Sequence, residues 1–190
     1  MPDSRPLILR LEATGQPVRW IPWQEAVALQ VNDRVAWHAG STEFTIYGGV
    51  NRVTEQRSAI TISSIIAVKG HNRHQTDINA VPPLSNRELF HRDGYVCLYC
   101  GGKFAGLLLT RDHLQPLSRG GRDVWTNVVT ACKSCNLAKG ARTPEEANMK
   151  LLAVPYAPNR AEYLVLSNRR ILADQMNFLA KRFSKRWRPT

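Results

Sequence analysis

The sequence predicts an α+β chain in two parts, a small mixed α/β domain followed by a domain organised around four cysteines. The first part holds short runs of β-branched residues and a helical segment that starts at Pro22. The second part holds all four cysteines, in two C-x-x-C pairs. A polar stretch ending in Val81-Pro82-Pro83 separates the parts, as is typical of a linker. We therefore divide the chain into a domain of unknown role at 1–70, a linker at 71–84, a cysteine domain at 85–150 and a helical extension with a basic tail at 151–190.

The elements of residues 1–70 follow from local pattern. We expect strands at 7–11, 18–21, 44–47 and 58–68, and a helix at 22–29. Gly48-Gly49 is expected to form the turn between the last two strands. This part shows no catalytic constellation, and we interpret His38, His71 and His74 as surface or packed residues.

Helix signals also mark the second part. The capping boxes Ser85-Asn86-Arg87-Glu88 and Thr143-Pro144-Glu145-Glu146 predict helix starts, and Gly140 predicts a helix stop. Ser167 is expected to cap a last helix. Its apolar side chains recur at helical spacing and predict core packing; they are Leu172, Met176, Leu179 and Phe183.

Composition favours a soluble protein with a polyanionic partner. Hydrophobic residues make up 43% of the chain, and no stretch approaches 18 consecutive apolar residues. With no signal pattern at residues 1–10, the expected location is the cytoplasm, away from any membrane. Residues 1–85 carry 8 basic and 7 acidic side chains, and residues 86–190 carry 18 and 8. The excess predicts nucleic-acid contact by the second half, although a basic solvated surface is the simpler alternative.

The cysteine spacing predicts a structural zinc site. Cys97, Cys100, Cys132 and Cys135 form two pairs, with 31 residues between the pairs and no cysteine left over. Four thiolates in this local spacing can close a tetrahedral Zn²⁺ site that leaves no position for a substrate. A redox C-x-x-C pair is the alternative, but no thioredoxin-like setting surrounds either pair.

The residues between the cysteine pairs suggest hydrolytic chemistry. Phosphodiester hydrolysis needs a base for the water and a cation for the phosphate and the leaving oxygen. A histidine serves as base, and Asp and Asn oxygens hold hard divalent cations. Asp112 and His113 are adjacent in a strand-like run, so they point to opposite sides unless the strand bends or ends there.

Six elements occur in order along residues 85–147. They are Arg92-Asp93-Gly94-Tyr95 leading to the first cysteine pair, Asp112-His113, Ser118-Arg119-Gly120-Gly121, Asn127, Cys132-Lys133-Ser134-Cys135-Asn136 and Lys139-Gly140. This array resembles the HNH endonuclease family in its four-cysteine form. The sequence departs from the family name at one position, because Asn136 stands where the last histidine is expected, giving an H-N-N variant.

The resemblance implies a ββα-metal fold of treble-clef type that cleaves DNA. His113 is implied to be the general base, and Asn127 to position the loop that carries it. Asp112 and Asn136 are implied to hold one catalytic Mg²⁺ or Mn²⁺, since an Asn ligand favours oxygen-loving metals.

Basic residues near the array are candidates for DNA contact. They are Arg111, Arg119, Arg122, Lys139 and Arg142. Two alternatives to a DNA endonuclease remain, namely a non-catalytic zinc-knuckle nucleic-acid-binding protein and an RNA nuclease. The pair Asp112-His113 and Asn127 favour an enzyme, because a pure binding module needs no base beside a metal ligand.

Overall fold

The computed structural model describes residues 5–70 and 81–187 of the chain. It forms two compact units: residues 1–80 with 160–183, and residues 81–159 with 184–190. Most of the predicted linker, together with His71 and His74, lies outside the described residues. None of the helices in the described ranges has both the length and the apolar character to cross a bilayer.

The first unit is built on a four-stranded sheet with the order β2-β1-β4-β3. The strands are β1 (Ile8–Glu12), β2 (Pro17–Ile21), β3 (Val35–Val50) and β4 (Arg57–Val68). β1 and β4 run parallel, whereas the two outer pairs are antiparallel. The helices of this unit are α1 (Trp23–Val31), α4 (Arg160–Ser167) and α5 (Ala173–Ala180).

Helices cover both faces of this sheet. Ile8, Ile66 and their neighbours pack with α1 on one face, and Leu9, Ile65 and theirs pack with α4 and α5 on the other. Successive strand residues point to opposite faces, so a strand covered on both faces reads as a continuous apolar run. This explains why residues 62–68 of β4 are buried without interruption.

Polar contacts anchor α5 to the sheet. The buried Gln175 side chain donates to the backbone oxygens of Leu7 and Ser64, both at 2.8 Å. Asp174 accepts from the Ser64 hydroxyl at 2.7 Å. Because of these contacts, part of the predicted extension at 151–190 belongs to the first unit. The sequence pattern could not reveal them, since the partners are distant in sequence.

Two local predictions for the first unit were wrong. Ser167 ends α4 instead of starting the last helix, and α5 begins after Leu172. Gly48-Gly49 lies within β3, and the chain reverses at 51–56. The Asn51 side chain accepts from the Val53 backbone N–H at 2.8 Å and so builds the turn. Glycine permits a turn but does not require one.

The second unit places two strands and a helix in succession. It contains α2 (Asn86–Arg92), β5 (Leu109–His113), β6 (Val128–Cys132) and α3 (Lys133–Lys139). β5 and β6 are antiparallel, with Asp112 opposite Val129 and His113 opposite Val128. A short 3-10 helix, Gly106–Leu108, precedes β5. Helices and small sheets in separate segments are consistent with the predicted α+β class.

A buried arginine ties α2 to β6. Arg92 donates to the backbone oxygens of Trp125, Val128 and Tyr156, each at 2.9 Å, and pairs with Asp93 at 2.8 Å. Asp93 in turn accepts from the Thr130 backbone N–H at 2.8 Å. A buried guanidinium is tolerable only when its donors are satisfied, as they are here. These contacts explain the Arg-Asp pair at the start of the motif array.

The predicted capping boxes have different outcomes. α2 begins after Ser85, whose hydroxyl bonds the Glu88 carboxylate. Thr143 and Glu146 exchange backbone-to-side-chain hydrogen bonds at 2.9 and 3.3 Å, but only a turn follows them. Asn148 there has a φ of 54°, which ends helical geometry. Gly140 ends α3 as predicted.

Candidate metal centre and active site

The four cysteine thiols converge at one point. Their Sγ atoms all lie within 4.8 Å of one another. The first pair flanks a tight turn, in which Cys97 N–H donates to Gly102 O at 2.9 Å and Gly101 N–H donates to Cys97 O at 2.9 Å. Gly101 has a φ of 76°, a conformation that favours glycine.

The second cysteine pair lies at the junction of β6 and α3. Cys132 ends β6 and caps α3, accepting from the Cys135 backbone N–H at 3.4 Å. Burial opposes ionisation of Cys132, but hydrogen bonds from Ser134 and Cys135 outweigh it and lower the pKa to about 6. A thiolate is the form that binds zinc. The four thiols fit one structural Zn²⁺, because tetrahedral ligation at about 2.3 Å per sulfur needs sulfurs roughly 3.8 Å apart.

His113 and Asp112 lie on opposite faces of β5, as the alternation of a strand requires. His113 ends the strand, with its side chain 17% exposed, and its Nε2 lies 2.9 Å from Asp123 Oδ1. Arg111, on the same strand face, donates from Nη1 to Asp123 Oδ2 at 2.5 Å and from Nε to Asn86 Oδ1 at 2.8 Å. One partly exposed face therefore carries an imidazole and a guanidinium that both contact one carboxylate.

Asp112 is buried and already paired. Its Oδ1 accepts from Lys139 Nζ at 3.0 Å, and its Oδ2 accepts from the Tyr99 hydroxyl at 2.5 Å. The Asp112 side chain is 5% exposed and that of Lys139 is 1% exposed. Burial and the hydrogen bond to Asp112 raise the pKa of Tyr99, so the phenol remains a donor.

Asn127 holds the loop that follows His113. Its Oδ1 accepts from Gln115 N–H at 2.9 Å, while its Nδ2 donates to Gln115 O at 3.0 Å and to Arg122 O at 2.8 Å. Its backbone oxygen accepts from Leu114 N–H at 2.9 Å. All three hydrogen-bonding groups of the amide thus bind main chain on both sides of the loop.

Asn136 lies on the same side of β5 as Asp112. It lies at the end of the first turn of α3, and its Nδ2 donates to Thr110 Oγ1 at 3.1 Å. Thr110 and Asp112 are two residues apart and so share a strand face. The structure therefore brings Asp112 and Asn136 to one side of the strand and His113 to the other.

The part of the chain that carries this site matches a known protein family. Residues 97–152 match the HNH endonuclease family model. We call these residues the HNH segment. The match confirms the resemblance for this part of the chain, including the four cysteines placed to bind a metal. No curated protein matches the chain.

The expected DNA-contacting residues of the HNH segment differ in surroundings. Lys139 is buried on Asp112, so its expected surface role does not fit this structure. Arg111 bonds Asp123 and Asn86. Arg119 pairs with the Glu146 carboxylate, and Arg142 donates to the oxygens of Lys139 and Ala138. Arg122 is exposed.

Sequence reasoning missed two residues of the HNH segment. Asp123 lies ten positions after His113 in a polar loop, and a single acidic residue there carries no motif. Tyr99 lies inside the first C-x-x-C pair, where an aromatic residue is explained by packing alone. Because Arg111 and His113 share a strand face, a search for an acidic partner could have pointed to Asp123.

The donor types suit a catalytic divalent ion, but the Asp112 carboxylate is already paired with a cation, the Lys139 ammonium. Asp112 and Asn136 offer the oxygens that Mg²⁺ and Mn²⁺ prefer. Both oxygens of Asp112, however, bond other groups, one of them the Lys139 ammonium. An ion at Asp112 therefore requires Lys139 to leave the carboxylate first.

This competition predicts the behaviour of Lys139→Met. The variant leaves the buried Asp112 carboxylate without its counter-ion, which costs about 3–5 kcal/mol of stability. Saturating Mn²⁺ should then raise its melting temperature more than that of the parent, by several degrees, since ~1 kcal/mol shifts a small domain by about 4–8 °C. Thermal unfolding with and without Mn²⁺ measures the difference. The double variant Asp112→Asn with Lys139→Met should lose the response. Equal shifts in Lys139→Met and the parent would contradict the competition with Lys139, and a response retained in the double variant would exclude Asp112 as a ligand.

Proposed function

We propose that this chain is a metal-dependent endonuclease that hydrolyses DNA phosphodiester bonds, with an HNH domain of the ββα-metal type at 85–150. The observation that carries the proposal is the position of His113 within the HNH segment. His113 ends β5 on a partly exposed face, beside a loop that Asn127 holds on both sides. The consecutive elements β5, β6 and α3 support the ββα assignment.

In the proposed reaction, His113 accepts the proton of the attacking water. Only one ring nitrogen can bond Asp123, so the other is available as base in the neutral ring. Asn127 fixes the backbone just after His113 and thereby the direction of the imidazole. A Mg²⁺ or Mn²⁺ held by Asp112 and Asn136 would offset charge on the phosphate and on the leaving 3′ oxygen. It would need Lys139 to release Asp112, and the end of β5 at His113 would have to bring both faces of the strand to one phosphate.

Charge supports a nucleic-acid substrate. The second unit carries 13 Lys and Arg against 6 Asp and Glu, and the first unit carries 13 against 9. The excess is therefore shared between the units more evenly than the division of the sequence at residue 85 indicated, because basic residues at 160–183 belong to the first unit. We assign phosphate contact to Arg119, Arg122 and Arg142, which are more accessible than Lys139.

One observation favours a second candidate, a zinc-knuckle nucleic-acid-binding protein without activity. Lys139 is paired with Asp112, so the carboxylate that a catalytic ion would need is already occupied by an ammonium group. A protein of this kind binds DNA or RNA with strong salt dependence but does not cleave it. RNA cleavage is the third possibility, and it requires the same chemistry.

Incubation with supercoiled plasmid tests the proposal. The zinc-loaded chain should convert plasmid to nicked or linear DNA with 5′-phosphate ends in Mg²⁺ or Mn²⁺. It should cleave a structured RNA of similar length more slowly. His113→Ala, purified in parallel, controls for contaminating nuclease. Binding is followed separately by fluorescence anisotropy at several salt concentrations. Binding without cleavage in either ion would support the non-catalytic alternative. Faster cleavage of the RNA than of the plasmid would identify RNA as the preferred substrate.

A further inference from the structure

We propose that Asp123 is a positioning residue for His113 that holds the imidazole in one orientation and one tautomer. The inference rests on the proposed function for its catalytic consequence, but the geometric part stands on the structure. Asp123 belongs to none of the motif elements of the sequence. The loop at 114–122 separates it from His113 in the chain, but its carboxylate contacts the imidazole directly.

The Asp123 carboxylate is shared between two side chains of β5. Oδ1 lies 2.9 Å from His113 Nε2, and Oδ2 accepts from Arg111 Nη1 at 2.5 Å. A carboxylate whose two oxygens bond two different side chains cannot rotate without losing one of these hydrogen bonds. Asp123 therefore restricts the torsion angles of His113.

Two further residues hold Asp123 in place. Arg111 is fixed at its other side by Asn86 Oδ1, which accepts from Nε at 2.8 Å. Asn127 donates to the backbone oxygen of Arg122, the residue before Asp123, at 2.8 Å. The carboxylate is thus positioned through its side-chain partner and through its own backbone.

The contact also selects the tautomer of His113. An ionised carboxylate only accepts hydrogen bonds, so Nε2 of the neutral ring must carry the proton. The hydrogen bond from Arg111 lowers the pKa of Asp123, which keeps the carboxylate ionised. The lone pair of the neutral imidazole is then at Nδ1. Nδ1 is the nitrogen that takes the proton from water.

The exposure of Asp123 makes its role separable from folding. Its side chain is 49% exposed, and exposed ion pairs contribute little to stability. Replacement of Asp123 should consequently change the orientation and the tautomer of the His113 ring without unfolding the unit.

The test uses Asp123→Ala and Asp123→Glu in the zinc-loaded chain, with Glu145→Ala as a matched control for loss of an exposed carboxylate in the same unit. Nitrogen-15 NMR of the histidine rings reports the tautomer, and His113→Ala assigns the signal of His113. The parent and Glu145→Ala should show the Nε2–H form. Asp123→Ala should show a mixture of both tautomers at unchanged melting temperature, and Asp123→Glu should restore most of the Nε2–H form.

Kinetics on plasmid supply the second readout. Asp123→Ala should lower kcat by about 10–100-fold, the range for a lost partner of a functional side chain, while KM changes less than about twofold. Asp123→Glu should recover part of kcat. An unchanged tautomer in Asp123→Ala would overturn the proposal. A changed tautomer in a chain that cleaves no nucleic acid would uphold the positioning and contradict the proposed function alone.

Discussion

Replacement of Cys132 with serine is expected to release the zinc and unfold the second unit. Cys132 joins β6 to α3, and its sulfur lies within 4.8 Å of the three other thiols. Structural zinc contributes an apparent ~10–16 kcal/mol in small zinc domains at neutral pH, which equals or exceeds the total stability of about 5–15 kcal/mol of a typical domain. Metal analysis should therefore find less than one zinc per chain, and amide signals of β5, β6 and α3 should lose their dispersion.

The first unit supplies an internal control for this result. It has its own core, including Ile8, Ile66 and Leu179, so its methyl signals should persist when the second unit unfolds. Ser134→Ala is the matched substitution, because it removes a neighbour of the Cys132 sulfur but no zinc ligand. It should retain the metal. A second unit that remains folded after zinc is chelated, or a disulfide within either cysteine pair, would contradict the assignment.

The success of the cysteine prediction has a simple physical origin. Ligand spacing in a C-x-x-C knuckle is local, so four residues of sequence specify each half of the centre. The same reasoning explains the strands of the first unit, where β-branched runs predicted β1, β2 and β4 to within about a residue or two. Within the first unit, the predictions that failed concerned a turn and a helix cap. Gly48-Gly49 and Ser167 are compatible with a turn and a helix start, but neither forms one. The turn forms where Asn51 accepts from the Val53 backbone N–H, and the Ser167 hydroxyl donates back to Leu164 O at the end of α4.

The chemistry around β5 was only partly predictable. Strand alternation gives the opposite directions of Asp112 and His113 from sequence alone. The partners of these residues come from elsewhere: Tyr99 from the first knuckle, Lys139 from the end of α3 and Asp123 from the loop. Lys139 shows the limit clearly, because a lysine in a basic stretch is usually exposed. Only the fold reveals that it neutralises a buried carboxylate.

His113→Ala is expected to give the largest loss of activity of any substitution that preserves the fold. The side chain ends β5 on a partly exposed face, so its removal leaves the zinc centre and the hydrogen bonds of Asn127 to main chain intact. Without a base, the attacking water must lose its proton to solvent. Removal of a general base lowers the rate by roughly 10²–10⁴-fold. Plasmid cleavage under single-turnover conditions measures this factor without interference from product release.

The matched control for this prediction is His91→Ala, which removes a histidine of the same unit that lies on α2. It should cleave within a few-fold of the parent. Zinc content, melting temperature and DNA affinity of His113→Ala should equal those of the parent, because the imidazole contributes to the proton transfer and not to the core or the phosphate contacts. If His113→Ala cleaves plasmid as fast as the parent, then His113 is not the base, and the orientation imposed by Asp123 has no catalytic consequence. If DNA affinity falls together with the rate, His113 contributes to substrate binding instead of proton transfer.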